Sequence, residues 1–458
     1  MTSESITTPD PPNPPNLPDS PGSRATVARP VGRSRSRIVL DGLRRRLGLS
    51  YLARVRRDPA SRLLLRSGRA DPYPVYQVIR NNGPLGRSHV GSWVSASHEV
   101  VGQVVRDRRF GVRPAGDVPP VPDPDVPAVL GAEWDSSFLT RDAPDHTRLR
   151  RLATPAFTPR RIAGYEPIIE RVTHRLLDQA IDASGQRGGF DLMTGFASPL
   201  PVTVITELLG VRNEDVGRLT HYGNVLGASL DGVRTLRFAY DLQRTLDDLT
   251  SMFGDLIAER TLEPGDDVVS KLIADLGEDR LTAGELLQMC TLLLAAGFET
   301  TVNLIGNGVH ALLDHPAQWQ ALRDDPAGMA PKVVEETLRY DSPVQVTGRI
   351  AHTDLELAGQ SVRTNQPITL LLGGAGRDPE IFPDPQRYDL DRENSADHLA
   401  FSAGPHYCLG AALARMEGAV AFRALAERLP RLRRAGRPRR RDNLTLRGFR
   451  SLPVAIAR

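Results

Sequence analysis

From about Asp71 onward, apolar side chains recur mostly at the three- and four-residue intervals of a helix. The pattern changes to short apolar runs between turn residues at Ser88 to Ser95 and Ile368 to Leu372, where strands are predicted. The strongest helical signal begins at Leu281-Thr282 and runs to His315-Pro316. Thr282 and Glu285 have capping-box spacing, and Leu281 and Leu286 fit a hydrophobic staple around that cap. Beyond them Leu, Met, Cys, Ala, Val and Ile recur almost all round, which predicts a helix buried at the centre of the fold and stopped by Pro316. No internal repeat interrupts the pattern. The expected fold class is mainly α with a minor β region.

Three segments are expected. Residues 1–37, crowded with Pro, Ser, Thr and Arg, read as a disordered tail. Residues 38–70 space arginines among Leu and Val, as a basic helical lead-in would. Residues 71–458 form one domain. Within it the Pro-rich stretch from Gly111 to Ala132 is too long for a tight connection and reads as a lid or a surface loop.

Composition narrows the chemistry. The chain has 458 residues, 40% of them hydrophobic, enough for a large core. Cys290 and Cys408 are its only cysteines, which excludes a disulfide framework and points to a reducing, cytoplasmic location. Cys290 is assigned to packing. No uncharged apolar run approaches the ~18 residues of a membrane helix, so no membrane span is expected. The arginine clusters around residues 33–37, 44–46, 56–57 and 431–441 read as solvated faces rather than as a nucleic-acid site.

Phe401-Ser-Ala-Gly-Pro-His-Tyr-Cys408-Leu-Gly410 leads into a run of strong helix formers from Ala411 to Glu417. Cys408 thus sits at a loop-to-helix junction, where unpaired amides and the helix dipole favour thiolate. Gly404 and Gly410 leave room for the backbone to approach a large planar group. His406 and Cys408 supply only two ligands, too few for a structural zinc, whereas one thiolate beside an open position suits haem.

Three other patterns carry chemistry. Glu299-Thr300 places an acid beside a hydroxyl in the apolar central helix, where an unpaired charge is costly. Thr300 can bond back to the Ala296 carbonyl and bend or widen the helix. Glu336 and Arg339 share one helix face, as do His146 and Arg150.

The segment Phe401–Gly410 resembles the haem loop of the cytochrome P450 family, Phe-x-x-Gly-x-His-x-Cys-x-Gly, at every defining position. Ser402 stands where many members have glycine. Glu336-x-x-Arg339 resembles the family's Glu-x-x-Arg pair, and Phe382-Pro-Asp-Pro-Gln-Arg387-Tyr-Asp389 resembles the segment that adds a second arginine, here Arg387. The likeness runs from about Asp71 to Arg458, with a departure at Gly376, where many members have asparagine.

This resemblance implies a triangular, mostly helical prism around haem b with Cys408 as axial thiolate. His146, Arg150, Arg349 and His406 would meet the propionates, and Ala296, Phe401 and Gly410 would border the cofactor. Glu299 and Thr300 would deliver protons for dioxygen activation. Leu292, Val344, Val346 and Phe449 would line the substrate pocket. The implied reaction is hydroxylation or epoxidation of an apolar small molecule, such as a lipid, terpenoid or polyketide. No flavin or iron-sulfur module is fused to the chain, so a separate ferredoxin and ferredoxin reductase would supply electrons, with Arg148, Arg151 and Arg415 facing an acidic donor. Two other readings keep Cys408. A haem sensor or carrier has no use for Glu299-Thr300, and a peroxygenase or isomerase needs no electron donor.

Overall fold

The computed structural model describes residues 47–116, 137–185, 188–212, 216–233, 235–277 and 280–456. The expected tail, the start of the basic lead-in and residues 117–132 of the Pro-rich stretch lie outside these residues. The lead-in's described part contains a helix over residues 47–54 and short helices at Pro59–Leu63 and Arg66–Ala70.

The principal helices are α1 (Tyr73–Asn81), α2 (His98–Arg106), α3 (Asp145–Ala153), α4 (Pro159–Ser184), α5 (Pro199–Leu209), α6 (Val216–Ser229), α7 (Leu236–Leu262), α8 (Ala283–Asp314), α9 (Pro316–Asp324), α10 (Pro326–Tyr340) and α11 (Ala411–Arg428). The central element is α8. Thr282 accepts from the Glu285 amide and the Glu285 carboxylate accepts from the Thr282 amide, so the predicted capping box starts the helix. The helix ends at Asp314, just before His315-Pro316. By length and composition α8 could cross a membrane, contrary to the expectation from the run of apolar residues, but 72% of its most apolar window is buried inside the protein. It is a core helix.

Close packing around α8 depends on missing side chains. A Cβ at Gly223 of α6 would collide with the Phe298 ring, and one at Gly297 of α8 would crowd Ile205 of α5. Further along, Gly308 admits Phe422 of α11. These glycines let helices approach within normal packing distance of a crowded central element.

The β structure is small. Strands β1 (Gly86–Arg87), β2 (Trp93–Ser95), β3 (Phe110–Gly111), β5 (Val346–Ala351) and β8 (Pro367–Leu371) form one sheet in the order β1-β2-β8-β5-β3, with β2 and β8 parallel. Strand β4 (Gly189–Asp191) pairs with β12 (Pro453–Ile456), which also pairs with β9 (Leu432–Arg434). Two hairpin-like pairs complete the set: β6 (Leu355–Leu357) with β7 (Gln360–Val362), and β10 (Arg439–Arg440) with β11 (Phe449–Ser451).

Candidate active site

Cys408 occupies the turn before α11, as its sequence predicts, with its amide donating to the Phe401 carbonyl at 3.0 Å. Burial raises the thiol pKa, while the Gly410 amide and the cations Arg150 and Arg415 act in the opposite direction. Yet the residue is exposed. The surrounding protein crowds the thiol yet leaves it accessible. Gly410 also faces open space. Gly404 has a different role from the one expected: with φ of 65°, it packs against the Val105 carbonyl of α2. Ser402 adopts φ of 58°, a region in which glycine is at ease and a side chain is strained.

On α8, Ala296 is exposed and Thr300 half-buried in the middle of an otherwise buried helix, so the helix is left uncovered there. Thr300 Oγ1 donates to the Ala296 carbonyl at 3.1 Å, the back-bond its spacing permits. Leu292, one turn earlier, is buried.

Glu299 is almost wholly buried at 2% exposure. Burial pushes its carboxyl up to about 7, against the lowering effects of the Arg441 charge and Asn303. Arg441 Nη1 lies 2.8 Å from Glu299 Oε1, but neither carboxylate oxygen accepts a well-aligned hydrogen bond. Arg441 lies outside every motif, in the 431–441 cluster expected to be a solvated face; its side chain is instead only 14% exposed, because it turns in to Glu299.

The predicted cationic residues converge. The His146 and His406 rings lie 4.2 Å apart, and Arg349 is buried. His146 is pushed down to about 4, first by burial and then by His406 and Arg150, and its buried Nε2 has no hydrogen-bond partner. Arg150 donates to the Tyr407 carbonyl at 2.5 Å, beside Cys408. The carboxylate among these cations is Asp142, which had no sequence signal. Burial raises its pKa, but the interaction with His406 and the amides of Val112 and Arg113 outweigh that and hold it at about 2.

Other predicted residues need correction. Arg387 does not join the buried network: its side chain is 62% exposed and lies near Asp389. Its carbonyl accepts from Arg339, and the second cation on Glu336 is Arg392, at 3.5 Å. Arg339 grips Glu336 with two hydrogen bonds of 2.7 Å. Phe449 is not beside the Thr300 turn. It packs against His310 and abuts Gly306, which is six residues and about 9 Å past Thr300 along α8. Leu446 comes closer, because it and Glu299 both lie against Gly227 of α6. Val344 forms a β-bridge with Leu446, and Val346 opens β5. Arg148 and Arg415 are not free for a partner: Glu285 and Glu335, respectively, hold them in two-bond pairs. Arg151 is exposed.

A cysteine at a helix start, a cationic cluster and an acid-alcohol pair on a central helix stand on a mainly helical fold. The cytochrome P450 family model matches residues 131–326 and 328–430. Putative cytochrome P450 140 of Mycobacterium tuberculosis is 37% identical over 419 residues, covering 89% of this chain and 94% of that protein. The 6-deoxyerythronolide B hydroxylase of Saccharopolyspora erythraea is 36% identical over 403 residues, covering 84% of this chain and 96% of the relative. Among solved structures, P450BioI in complex with hexadec-9Z-enoic acid ligated acyl carrier protein superposes with a TM-score of 0.78 and 34% identity, over 85% of this chain and 99% of that one.

The chain belongs to the cytochrome P450 family. It is a haem-iron oxidoreductase of the monooxygenase type, and the family's fold accounts for its mainly helical architecture with small sheets.

Proposed function

We propose that this chain hydroxylates or epoxidises an apolar small molecule of lipid, terpenoid or polyketide type, using haem b ligated by Cys408 and electrons from a separate ferredoxin and its reductase. The observation that carries the reading is Cys408 at the start of α11, accessible and beside the Gly410 amide. The residues present fit the cofactor. An unpartnered buried His146 Nε2 and the neighbouring Arg150, Arg349 and His406 supply donors and positive charge for two propionates. Ala296, Phe401 and Gly410 would border its faces.

Haem, when bound, supplies one-electron transfer and dioxygen activation. The protein's own residues would do the rest. Cys408 would bind the iron as thiolate, with the Gly410 amide and the nearby arginines partly offsetting the burial that favours the thiol. Thr300 would hold the α8 backbone open at Ala296, and Glu299, poised near neutrality, would exchange protons at its carboxylate. Leu292, Val344, Val346 and Leu446 would exclude water and select an apolar substrate, with Phe449 as support behind them. A relative named as a 6-deoxyerythronolide B hydroxylase, and a solved relative in complex with hexadec-9Z-enoic acid ligated acyl carrier protein, support this reading. Domain limits of 1–37, 38–70 and 71–458, and a cytoplasmic location, belong to the same proposal.

The test is the carbon monoxide difference spectrum of the dithionite-reduced full chain. A strongly red-shifted main band is expected in the wild type and lost in Cys408→His. A band typical of histidine- or thiol-ligated haem in folded wild-type protein, or no haem, overturns the proposal. Turnover with peroxide alone at physiological concentrations would assign the chain to peroxygenase chemistry instead.

A further inference from the structure

The contacts of Arg441 reach beyond Glu299. Its Nη1 also bonds Asn224 Oδ1 of α6, and its Nε donates to the Phe449 carbonyl at 3.2 Å. The segment carrying it is tied to α6 a second time, through Asp231, just past the helix end. The Asp231 carboxylate accepts the amides of Leu444 at 2.6 Å and Thr445 at 2.8 Å. Between these anchors, Gly227 of α6 lies against both the Glu299 side chain and Leu446. The helix, the segment from 441 to 448 and the buried acid are therefore packed as one unit.

We propose that Arg441 is a positioning residue that latches Glu299 to α6, so that the charge state of the acid depends on how α6 is seated. The proposal rests on the reading of Glu299 as the proton-exchanging acid. Among the described residues, Arg441 is the one charged group found to act on Glu299. Its own helix presents Asn303, α6 presents Gly227 and, through Arg441, Asn224, and the C-terminal segment presents Leu446 and Gly448, which abuts Asn303. With no other charge to compensate burial, the distance from the guanidinium sets how readily the carboxyl ionises. That guanidinium is held by an α6 side chain. A displacement of α6, such as one needed to seat a substrate against Leu446, would thus be felt at Glu299 without any contact between substrate and acid.

The test is infrared spectroscopy of the haem-loaded full chain across a pH series, following the carbonyl stretch of buried carboxylic acids. Glu299→Gln identifies the band of Glu299, and the buried acid Glu417 on α11 serves as an internal control. In Arg441→Gln the Glu299 midpoint is expected to rise, lowering its ionised-to-protonated ratio by about tenfold or more at a given pH. Arg441→Lys should restore most of this shift, which a merely structural loss would not allow. Asn224→Ala should move the midpoint in the same direction as Arg441→Gln while leaving the Glu417 band in place. An unchanged midpoint in Arg441→Gln overturns the latch, and a shift there without one in Asn224→Ala overturns its link to α6. Carbon monoxide spectra of the same wild-type sample separate the two proposals. Loss of the thiolate band would sink the haem-thiolate reading, whereas an unmoved carboxyl in a thiolate-ligated protein would sink the latch alone.

Discussion

Arg387 and Arg392 lie five residues apart in one loop, yet only Arg392 turns inward. Its guanidinium approaches Glu336 and donates to the carbonyls of Pro383 and Asp384 at 2.7 and 3.1 Å. Arg392→Gln is expected to lose about 1–3 kcal/mol through these charge-assisted bonds, whereas exposed Arg387→Gln should stay within about 0.5 kcal/mol of wild type. Chemical denaturation of the two variants checks this, and equal losses would contradict the corrected assignment. Glu417 makes a pH-dependent case. Burial pushes its carboxyl up to about 8, slightly offset by Thr301, and neither oxygen accepts a well-aligned hydrogen bond. The folded state therefore holds this proton after the unfolded chain has released it. Its contribution to stability is complete below the ordinary carboxylate range and is lost as pH rises towards about 8. Glu417→Gln should remove that slope, so denaturation midpoints measured from pH 5 to 8 should fall less in the variant than in wild type.

At the scale of elements, the packing of α6 on α8 depends on Gly223 and Gly227, four residues apart on one helix face. Gly223→Ala would drive a methyl group into the buried Phe298 ring, and overpacking of this kind costs about 1–3 kcal/mol. The expected outcome is a lower thermal midpoint. An unchanged midpoint would mean that Phe298 can move aside freely. The start and stop of α8 were readable from Thr282, Glu285 and Pro316 because caps and proline act through neighbouring backbone groups. The tight seat of α6 was not, because a glycine's meaning depends on what faces it. For the same reason, the fit of Gly404 against the Val105 carbonyl was hidden, although the glycine itself belongs to the recognised loop.

Across the whole molecule, the C-terminal segment is fastened to the N-terminal helices by one buried carboxylate. Asp341 at the end of α10 accepts from Arg440 at 2.8 Å, Arg447 at 2.7 Å and the Tyr73 hydroxyl at 2.8 Å. Burial would raise its pKa, but the two arginines outweigh burial and hold it far below the usual carboxylate range. Arg447 also reaches the carbonyl of Ala70 at 3.1 Å. Asp341→Asn leaves two mostly buried cations without their counter-charge and is expected to cost about 3–5 kcal/mol. Urea denaturation measures it, and a loss below about 1 kcal/mol would show that the cations find water or another partner.

The sequence by itself determined what short-range rules can carry. The helical period, the capping box, the cysteine at a helix start and the back-bond from Thr300 to Ala296 each depend on residues within a few positions, and motif order was enough to suggest the family. Tertiary structure alone decided which distant groups meet. Asp142 joins His146 and His406, Arg392 displaces Arg387, Arg441 finds Glu299, and Phe449 meets His310. Arginines abound along this chain, and a charge interacts with whatever the fold brings near it. Which arginine becomes buried against which acid is therefore fixed by packing, not by local spacing.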